Sequence, residues 1–296
     1  MNRFLALGAF FVITVSAAGD PRRDLRSDVK NLNVRYATEH YALAGTTSDA
    51  KLENYGEALE YVYREYAMGF GELFDQQEAD ASKDADKRFN VVILATADEY
   101  TEFAKAYFRD GMEHSTGLFA ASASLLIIRD GGDRENTYGT LFHEAFHQFA
   151  HRYILAIPTW LNEGLATYYG TARPGRSGLA FNRPRSDLFR LVRNAATNRK
   201  LIPLRELMES SQAAFYDQTP IDGLGCSHKT LCYAQSYTLA SYMINDREGR
   251  EHLRSYLRKL SSVKTSDDAR QVTSAVFTDE LLDAMVTPWI AHVNRR

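Results

Sequence analysis

Cysteine, net charge and internal repeats are what this 296-residue sequence has least of. Two cysteines are too few for a disulfide scaffold or for a zinc module built from thiolates. The formal net charge is only −3, so no global charge draws the chain to nucleic acid or to an anionic membrane. With 45% hydrophobic and 25% charged residues, the composition excludes a disordered or fibrous chain and indicates a globular one.

A long run without charge occurs at the N-terminus, from Phe4 to Gly19. These sixteen positions are shorter than the roughly 20 that span a bilayer. Arg3 precedes the run, and small residues at 16–18 close it, which is the layout of a cleaved secretory signal. An uncleaved anchor is the alternative. We therefore predict a signal peptide at residues 1–18, a secreted or periplasmic location, and no stable membrane insertion after cleavage.

The two cysteines, Cys226 and Cys232, are separated by five residues in a loop-like stretch. An oxidising compartment favours a disulfide that closes this short loop. Two zinc thiolates are the alternative, but the chain does not supply the further ligands that they would need.

Strand patterns precede helical patterns along the chain. The spacing predicts one or two strands within residues 33–45 and further strands at 89–95, 117–121 and 125–129, with a turn at 122–124. It predicts a helix over 48–74, a loop over 76–88, and a helix that Asp98 caps and that runs through Tyr107. After Asp133 the spacing is helical to the end. Strands first and helices later indicate an α+β fold with a helical C-terminal lobe.

The first chemical motif is His143-Glu144-x-x-His147, which lies in a strongly helical stretch. Histidines at i and i+4 share one helix face and can each place a ring nitrogen about 2.0–2.1 Å from a single Zn²⁺. Glu144 would then point toward the water at the metal, as a general base must. The alternative is that these histidines simply pack among the neighbouring phenylalanines.

His151 continues the i+4 series but cannot complete the ligand set. It lies eight residues from His143, which is roughly 12 Å of helix rise. Ligand atoms on one tetrahedral zinc are only about 3.3 Å apart. We therefore expect His151 to be a packed or surface histidine.

Glu163 is the predicted third ligand. It is the one acid in a second helix that begins at Pro158 and runs through Tyr169. A carboxylate on such an apolar surface is costly unless it is paired or bound to a metal. Two histidines, one glutamate and an open position form the donor set of a catalytic zinc, whereas structural zinc sites fill all four positions with protein ligands. The sequence thus predicts one Zn²⁺ per chain.

These motifs resemble those of the gluzincin metallopeptidases. His-Glu-x-x-His followed by Trp-Leu-Asn-Glu-Gly-x-Ala is similar to the aminopeptidase N family and its bacterial relatives in the peptidase MA-like superfamily. The resemblance is strongest to the domain of unknown function 1570, on His143–Gln148, Pro158–Tyr168 and the segment 233–243, and it extends more faintly over residues 31–262. Fifteen residues separate His147 from Glu163, against eighteen in aminopeptidase N relatives, which favours the MA-like branch.

The resemblance implies a zincin-like α+β fold and hydrolysis of peptide bonds by water that Glu144 activates at the zinc. After a linker at 19–30, it implies a single domain over residues 31–296, with an α/β lobe at 31–135, zinc-site helices at 136–170 and a helical lobe at 171–296. It also implies that Tyr233, at the start of a later helix, stabilises the oxyanion. Tyr237 and His228 are rivals for that role, and plain packing is the alternative for Tyr233.

The expected partner is a peptide or protein substrate, with no nucleic acid. Gly117–Ala121 resembles the gluzincin edge strand that pairs with extended peptides. The segment 111–113 only partly resembles the motif with which aminopeptidases hold a free amine, so we expect an endopeptidase. Nine basic residues against two acidic ones in 171–206 could favour acidic substrates, although a solvated loop and helix face is the commoner explanation.

Two other functions fit the same motifs. One is an amidase that acts on cell-wall peptides with the same zinc site. The other is a non-catalytic binding protein that keeps the zinc fold and uses its groove for recognition. The intact Glu144 argues against the second, because a binding protein needs no base at that position.

Overall fold

The computed structural model describes residues 25–30, 33–70, 88–108, 115–131, 133–175, 178–181 and 184–296. The predicted signal peptide, most of the predicted loop over 76–88 and the segment 111–113 lie outside these residues. In the ranges described, no helix is both long enough and apolar enough to cross a bilayer.

Contacts divide the chain into two compact units. The first contains the described parts of residues 1–66, 80–149 and 172–180, and the second those of residues 67–79, 150–171 and 181–296. The single domain over residues 31–296 stays a prediction.

A five-stranded mixed sheet forms the core of the first unit. Its strands are β1 (Tyr36–Ala37), β2 (Tyr41–Gly45), β3 (Phe89–Leu94), β4 (Gly117–Ala120) and β5 (Leu125–Arg129). Their order is β1-β2-β3-β5-β4, with β2, β3 and β5 parallel and the two end strands antiparallel to their neighbours. The predicted strands are confirmed, and β4 is an end strand of the sheet, as expected for Gly117–Ala121.

The sequence of the central strands explains their burial. β3 and β5 consist largely of valine, isoleucine and leucine, and the side chains of Val91, Ile93, Leu126 and Ile128 are fully buried. Such β-branched runs suit strands that are covered on both faces. A single 3₁₀ turn over Ala121–Ala123 joins β4 to β5, close to the predicted turn.

In the described part of the first unit, four helices begin: α1 (Leu25–Lys30), α2 (Asp49–Phe70), α3 (Ala97–Tyr107) and α4 (Arg134–Tyr153). The prediction that Asp98 caps α3 is wrong, because the cap is Thr96. The Thr96 hydroxyl accepts from the Glu99 N–H at 3.2 Å, and the Glu99 carboxylate accepts from the Thr96 N–H at 3.0 Å. This reciprocal pair is a capping box, and it leaves Asp98 as an acidic residue of the first turn.

Polar contacts fix α4 within the first unit. The Gln148 amide donates to the carbonyl of Asn90 in β3 at 3.0 Å and to that of Ser124 at 3.1 Å. The Tyr66 hydroxyl of α2 donates to the Phe142 carbonyl at 2.5 Å. Because these bonds lie beside positions 143 and 147, they hold the part of α4 that carries the two histidines.

The second unit is helical. It contains α5 (Thr159–Tyr169), α6 (Ser186–Thr197), α7 (Leu204–Glu209), α8 (Gln212–Phe215), α9 (His228–Asn245), α10 (Arg247–Leu260), α11 (Ser266–Val276) and α12 (Asp279–Arg295). A mixed sheet followed by a helical region is the α+β fold that the order of patterns predicted.

Two short hairpins lie among the helices that follow Asp133 in sequence, so the prediction of uninterrupted helical structure after Asp133 is wrong. They are β6 (Arg173–Gly175) with β7 (Gly178–Ala180), and β8 (Pro220–Ile221) with β9 (Cys226–Ser227). The turn of the second hairpin contains Gly223 and Gly225 at φ 71° and 66°, a conformation that glycine adopts without strain.

Helix α9 is the central helix of the second unit. It packs against α5, α6, α10 and α12 and is buried at nearly every position from Lys229 to Met243. One of its buried polar side chains, Gln235, is hydrogen-bonded to a residue far away in sequence. The Gln235 amide bonds both the N–H and the carbonyl of Ile202, at 2.8 and 2.9 Å.

Helices α5 and α9 approach each other closely at Gly164. A Cβ atom added at Gly164 would lie 2.5 Å from the carbonyl oxygen of Ser236 and 3.3 Å from the Cβ of Ala240. Only glycine leaves room for the α9 backbone at this point. The residue before it on α5 is Glu163, so this contact also sets the position of the predicted third ligand.

The predicted disulfide is not formed, and Cys226 and Cys232 are free thiols. Cys226 lies in β9, whereas Cys232 lies in α9 with its Sγ 3.5 Å from Nδ1 of His228. The Cys232 thiol therefore points to a residue of its own helix. Burial, together with nearby acidic charge, raises the pKa of Cys232 to about 12 and keeps the thiol protonated.

Candidate metal centre

His143 and His147 converge as the helical spacing predicts. They lie one turn apart on α4 and are 4% and 2% exposed. Their Nε2 atoms are 3.1 Å apart, and their rings are nearly perpendicular at 83°. Ligand atoms on one tetrahedral metal ion lie about 3.3 Å apart. The two nitrogens are thus spaced as two ligands of one ion.

Glu163 of α5 completes a group of three. Its side chain is fully buried, and one candidate ligand atom each from Glu163, His143 and His147 lies within 4.8 Å of the other two. Across the described ranges, no other set of histidine, cysteine, aspartate and glutamate side chains meets this criterion. The group could hold a metal ion. Imidazole and carboxylate are donors that suit divalent transition metals, so the chemistry of the set fits such an ion.

Tyr216 is a site residue that the sequence analysis missed. Its hydroxyl donates to Oε1 of Glu163 at 2.5 Å, across 53 positions of sequence. Tyr216 lies directly after α8, and no motif or periodicity in the sequence marks it among the 17 tyrosines. The bond fixes one oxygen of the candidate third ligand.

Tyr233 lies beside this pair on α9. It is 3% exposed, and its ring centroid is 6.2 Å from that of Tyr216. Burial raises the pKa of Tyr233 well above its usual value, and the nearby Glu163 carboxylate adds to the effect. Its hydroxyl therefore keeps its proton, as a hydrogen-bond donor must.

Lys229 places a cation next to the two phenol rings. Its Nζ lies 5.5 Å from the ring centroid of Tyr216 and 5.9 Å from that of Tyr233, within the range of cation–π attraction. Burial lowers the pKa of Lys229, and the negative charge of Glu163 opposes this shift. The surroundings of Glu163 in the second unit thus contain two phenols and an ammonium group.

Tyr237 and His228, the two alternatives to Tyr233 for stabilising the oxyanion, contact other groups. The Tyr237 hydroxyl accepts from the backbone N–H of Arg185 at 3.1 Å. The His228 ring lies against the Cys232 thiol at 3.5 Å. Neither bond involves Glu163, whereas Tyr233 is within the electrostatic influence of that carboxylate.

Glu144 and His151, two further residues of the predicted site region, both lie on α4. Glu144, directly after His143 on α4, is 1% exposed. His151 is partly buried, burial lowers its pKa, and it is not a member of the three-residue group, as predicted.

Several of the described basic residues of 171–206 bond to other groups of the protein. Arg185 pairs with Asp187 at 2.7 Å, Arg193 donates to the Val293 carbonyl at 2.8 Å, and Arg205 pairs with two carboxylates. These bonds favour the structural interpretation of the basic run over a role in attracting acidic substrates.

Part of the chain matches a family model. Residues 137–267 match the profile of the family described as protein of unknown function (DUF1570). The match supports the family inferred from the motifs, and the matched segment contains His143, Glu144, His147, Glu163 and Tyr233 as well as Tyr216. No curated protein matches the chain significantly.

Proposed function

We propose that the protein is an exported zinc-dependent metallopeptidase of the gluzincin type that acts as an endopeptidase. The observation that carries the proposal is the buried group of two imidazole nitrogens 3.1 Å apart with the Glu163 carboxylate beside them. Two histidines and a glutamate with an open position are the donor set of catalytic zinc. Export rests on the charge-free run near the N-terminus.

Glu144 is what favours hydrolysis over other metal chemistry. Two histidines and one carboxylate also occur in non-haem iron oxygenases, so the donor set alone does not select a reaction. A glutamate directly after the first ligand histidine is the arrangement of metallopeptidases that use it as general base. A purely binding protein has no use for that carboxylate.

In the proposed mechanism, Glu144 and Tyr233 have separate roles beside a bound metal ion. A bound Zn²⁺ would supply Lewis acidity toward a scissile carbonyl and toward water. Glu144 accepts the proton of the attacking water and returns it to the leaving nitrogen. Tyr233 keeps its proton because of its burial, and donates a hydrogen bond to the oxygen on which negative charge develops.

The test is the metal content of the protein, measured together with cleavage of a mixed peptide library before and after chelation. We expect one zinc per chain and chelator-sensitive cleavage at internal peptide bonds. Glu144→Gln is the matched variant, because it changes the base and no ligand. Zinc without cleavage of any peptide would support the binding-protein alternative. Cleavage confined to cell-wall peptides would support the amidase, and a protein without metal would refute the proposal.

A further inference from the structure

We propose that Tyr216 is a positioning residue for Glu163, and that the β8–β9 hairpin exists to hold it there. The inference rests on the proposed metal site and extends it to a residue that no motif contains. The bond that carries it joins the Tyr216 hydroxyl to Oε1 of Glu163 at 2.5 Å. Hydrogen bonds from hydroxyl groups to carboxylates at 2.5–2.7 Å are charge-assisted and stronger than neutral ones.

The β8–β9 hairpin brings the start of α9 back beside the residues that directly follow Tyr216. Just after Tyr216, the carbonyl of Asp217 accepts from the Lys229 N–H at 2.8 Å, and the carbonyl of Thr219 accepts from the His228 N–H at 2.8 Å. Between these bonds, β8 and β9 pair in antiparallel fashion. The segment is therefore closed at its base, with Tyr216 at one end and the first turn of α9 at the other.

The Tyr216 ring is held from several sides. Phe215 lies at 5.4 Å edge-on, the Tyr233 ring at 6.2 Å, and the Lys229 ammonium at 5.5 Å from the ring centroid. Two of these three neighbours, Lys229 and Tyr233, belong to the start of α9. The ring contacts are independent of the hydroxyl, so they orient the phenol before its hydrogen bond forms.

An unrestrained carboxylate ligand can rotate about its own axis and bind a metal through either oxygen. A hydrogen-bond partner such as Tyr216 therefore makes its binding geometry more definite. A hydrogen bond to Oε1 restricts this rotation and fixes the plane of the Glu163 carboxylate. Partners of this kind typically change metal affinity by about 10- to 100-fold when they are removed. Tyr216 thus pre-organises the third ligand without itself touching the metal or a substrate.

The experiment compares Tyr216→Phe with the parent protein in a zinc competition titration against a chelator of known affinity. The change keeps the ring and its three neighbours and removes only the hydroxyl. We expect zinc to bind about 10- to 100-fold more weakly. Tyr107→Phe is the matched control, because the Tyr107 hydroxyl also bonds a carboxylate at 2.5 Å, that of Asp28, which is not a candidate ligand. This control should keep the parent affinity.

The visible spectrum of the cobalt-substituted protein separates positioning from stability. Positioning predicts an altered ligand-field band for Tyr216→Phe and an unchanged band for Tyr107→Phe. A purely structural role predicts lower stability of the metal-free protein and an unchanged band, and that result overturns the inference. Zinc affinity within twofold of the parent also overturns it. A parent protein that binds no zinc would instead refute the proposed function, and with it the basis of this inference.

Discussion

Replacing Gly164 by alanine tests whether the close contact between α5 and α9 is required. The added Cβ would meet the Ser236 carbonyl oxygen at 2.5 Å and its carbon at 2.9 Å, both below the 3.0 Å that real Cβ contacts respect. Since these are backbone atoms, one helix must move. Overpacking a core typically costs about 1–3 kcal/mol, and the higher helix propensity of alanine returns at most about 1 kcal/mol. We expect the free energy of unfolding to fall by about 2 kcal/mol, because a backbone clash lies at the upper end of that range.

Urea denaturation of the metal-free protein measures this loss. Gly131→Ala is the control, because a Cβ at Gly131 meets no atom within 4 Å, and its stability should stay within about 0.5 kcal/mol of the parent. Zinc affinity should also fall in Gly164→Ala, because a shift of α5 moves Glu163. An alanine variant as stable as the parent, or more stable, would refute the reasoning, since helix propensity would then outweigh the clash.

Three further predictions concern the site and the response to acid. Glu144→Gln should keep zinc and lower hydrolysis by orders of magnitude, which metal analysis and peptide cleavage measure together; equal activity would exclude Glu144 as the base. Glu163→Ala should lower zinc occupancy, and full occupancy would show that the third ligand is another residue. Burial lowers the pKa of His292 to about 4, so its ring is neutral in the folded protein at neutral pH and binds protons preferentially when unfolded. Stability should therefore fall as the pH drops from about 6.5 toward about 4, by up to about 3 kcal/mol. His292→Gln should lose less stability over this range in urea titrations, and an unchanged slope would contradict the assignment.

The sequence predicts those parts of the site that depend on local spacing. His143 and His147 are one helical turn apart, and Glu163 lies in the next helix along the chain. A helical pattern and one motif are therefore enough to identify these three residues as candidate ligands. The strands of the sheet follow from their β-branched runs for the same reason. The helical ligand spacing and the strands can be predicted from short stretches of sequence, because the interactions that form them join residues close together in sequence.

Features that depend on distant contacts could not be predicted. Tyr216 reaches Glu163 across 53 positions, and the closure of the β8–β9 hairpin, which places it, depends on glycine turn geometry rather than on periodicity. The cap of α3 was misassigned because Thr96 and Asp98 are both good capping residues. Only the extended backbone of Thr96, at φ −128° and ψ 161°, decides between them. The disulfide prediction failed because it considered spacing and compartment but not the direction of the Cys232 side chain.

Helix α9 also has a consequence for how related chains can diverge. A helix enclosed on every side has few positions at which a substitution leaves the packing unchanged, because each change in side-chain volume displaces a neighbouring helix. At Ser236 and Ala240 that neighbour is Gly164, next to Glu163. Evolutionary drift should therefore concentrate on exposed faces such as that of α10. Changes within α9 should occur together with compensating changes on α5, and a set of related sequences would reveal this as paired substitution.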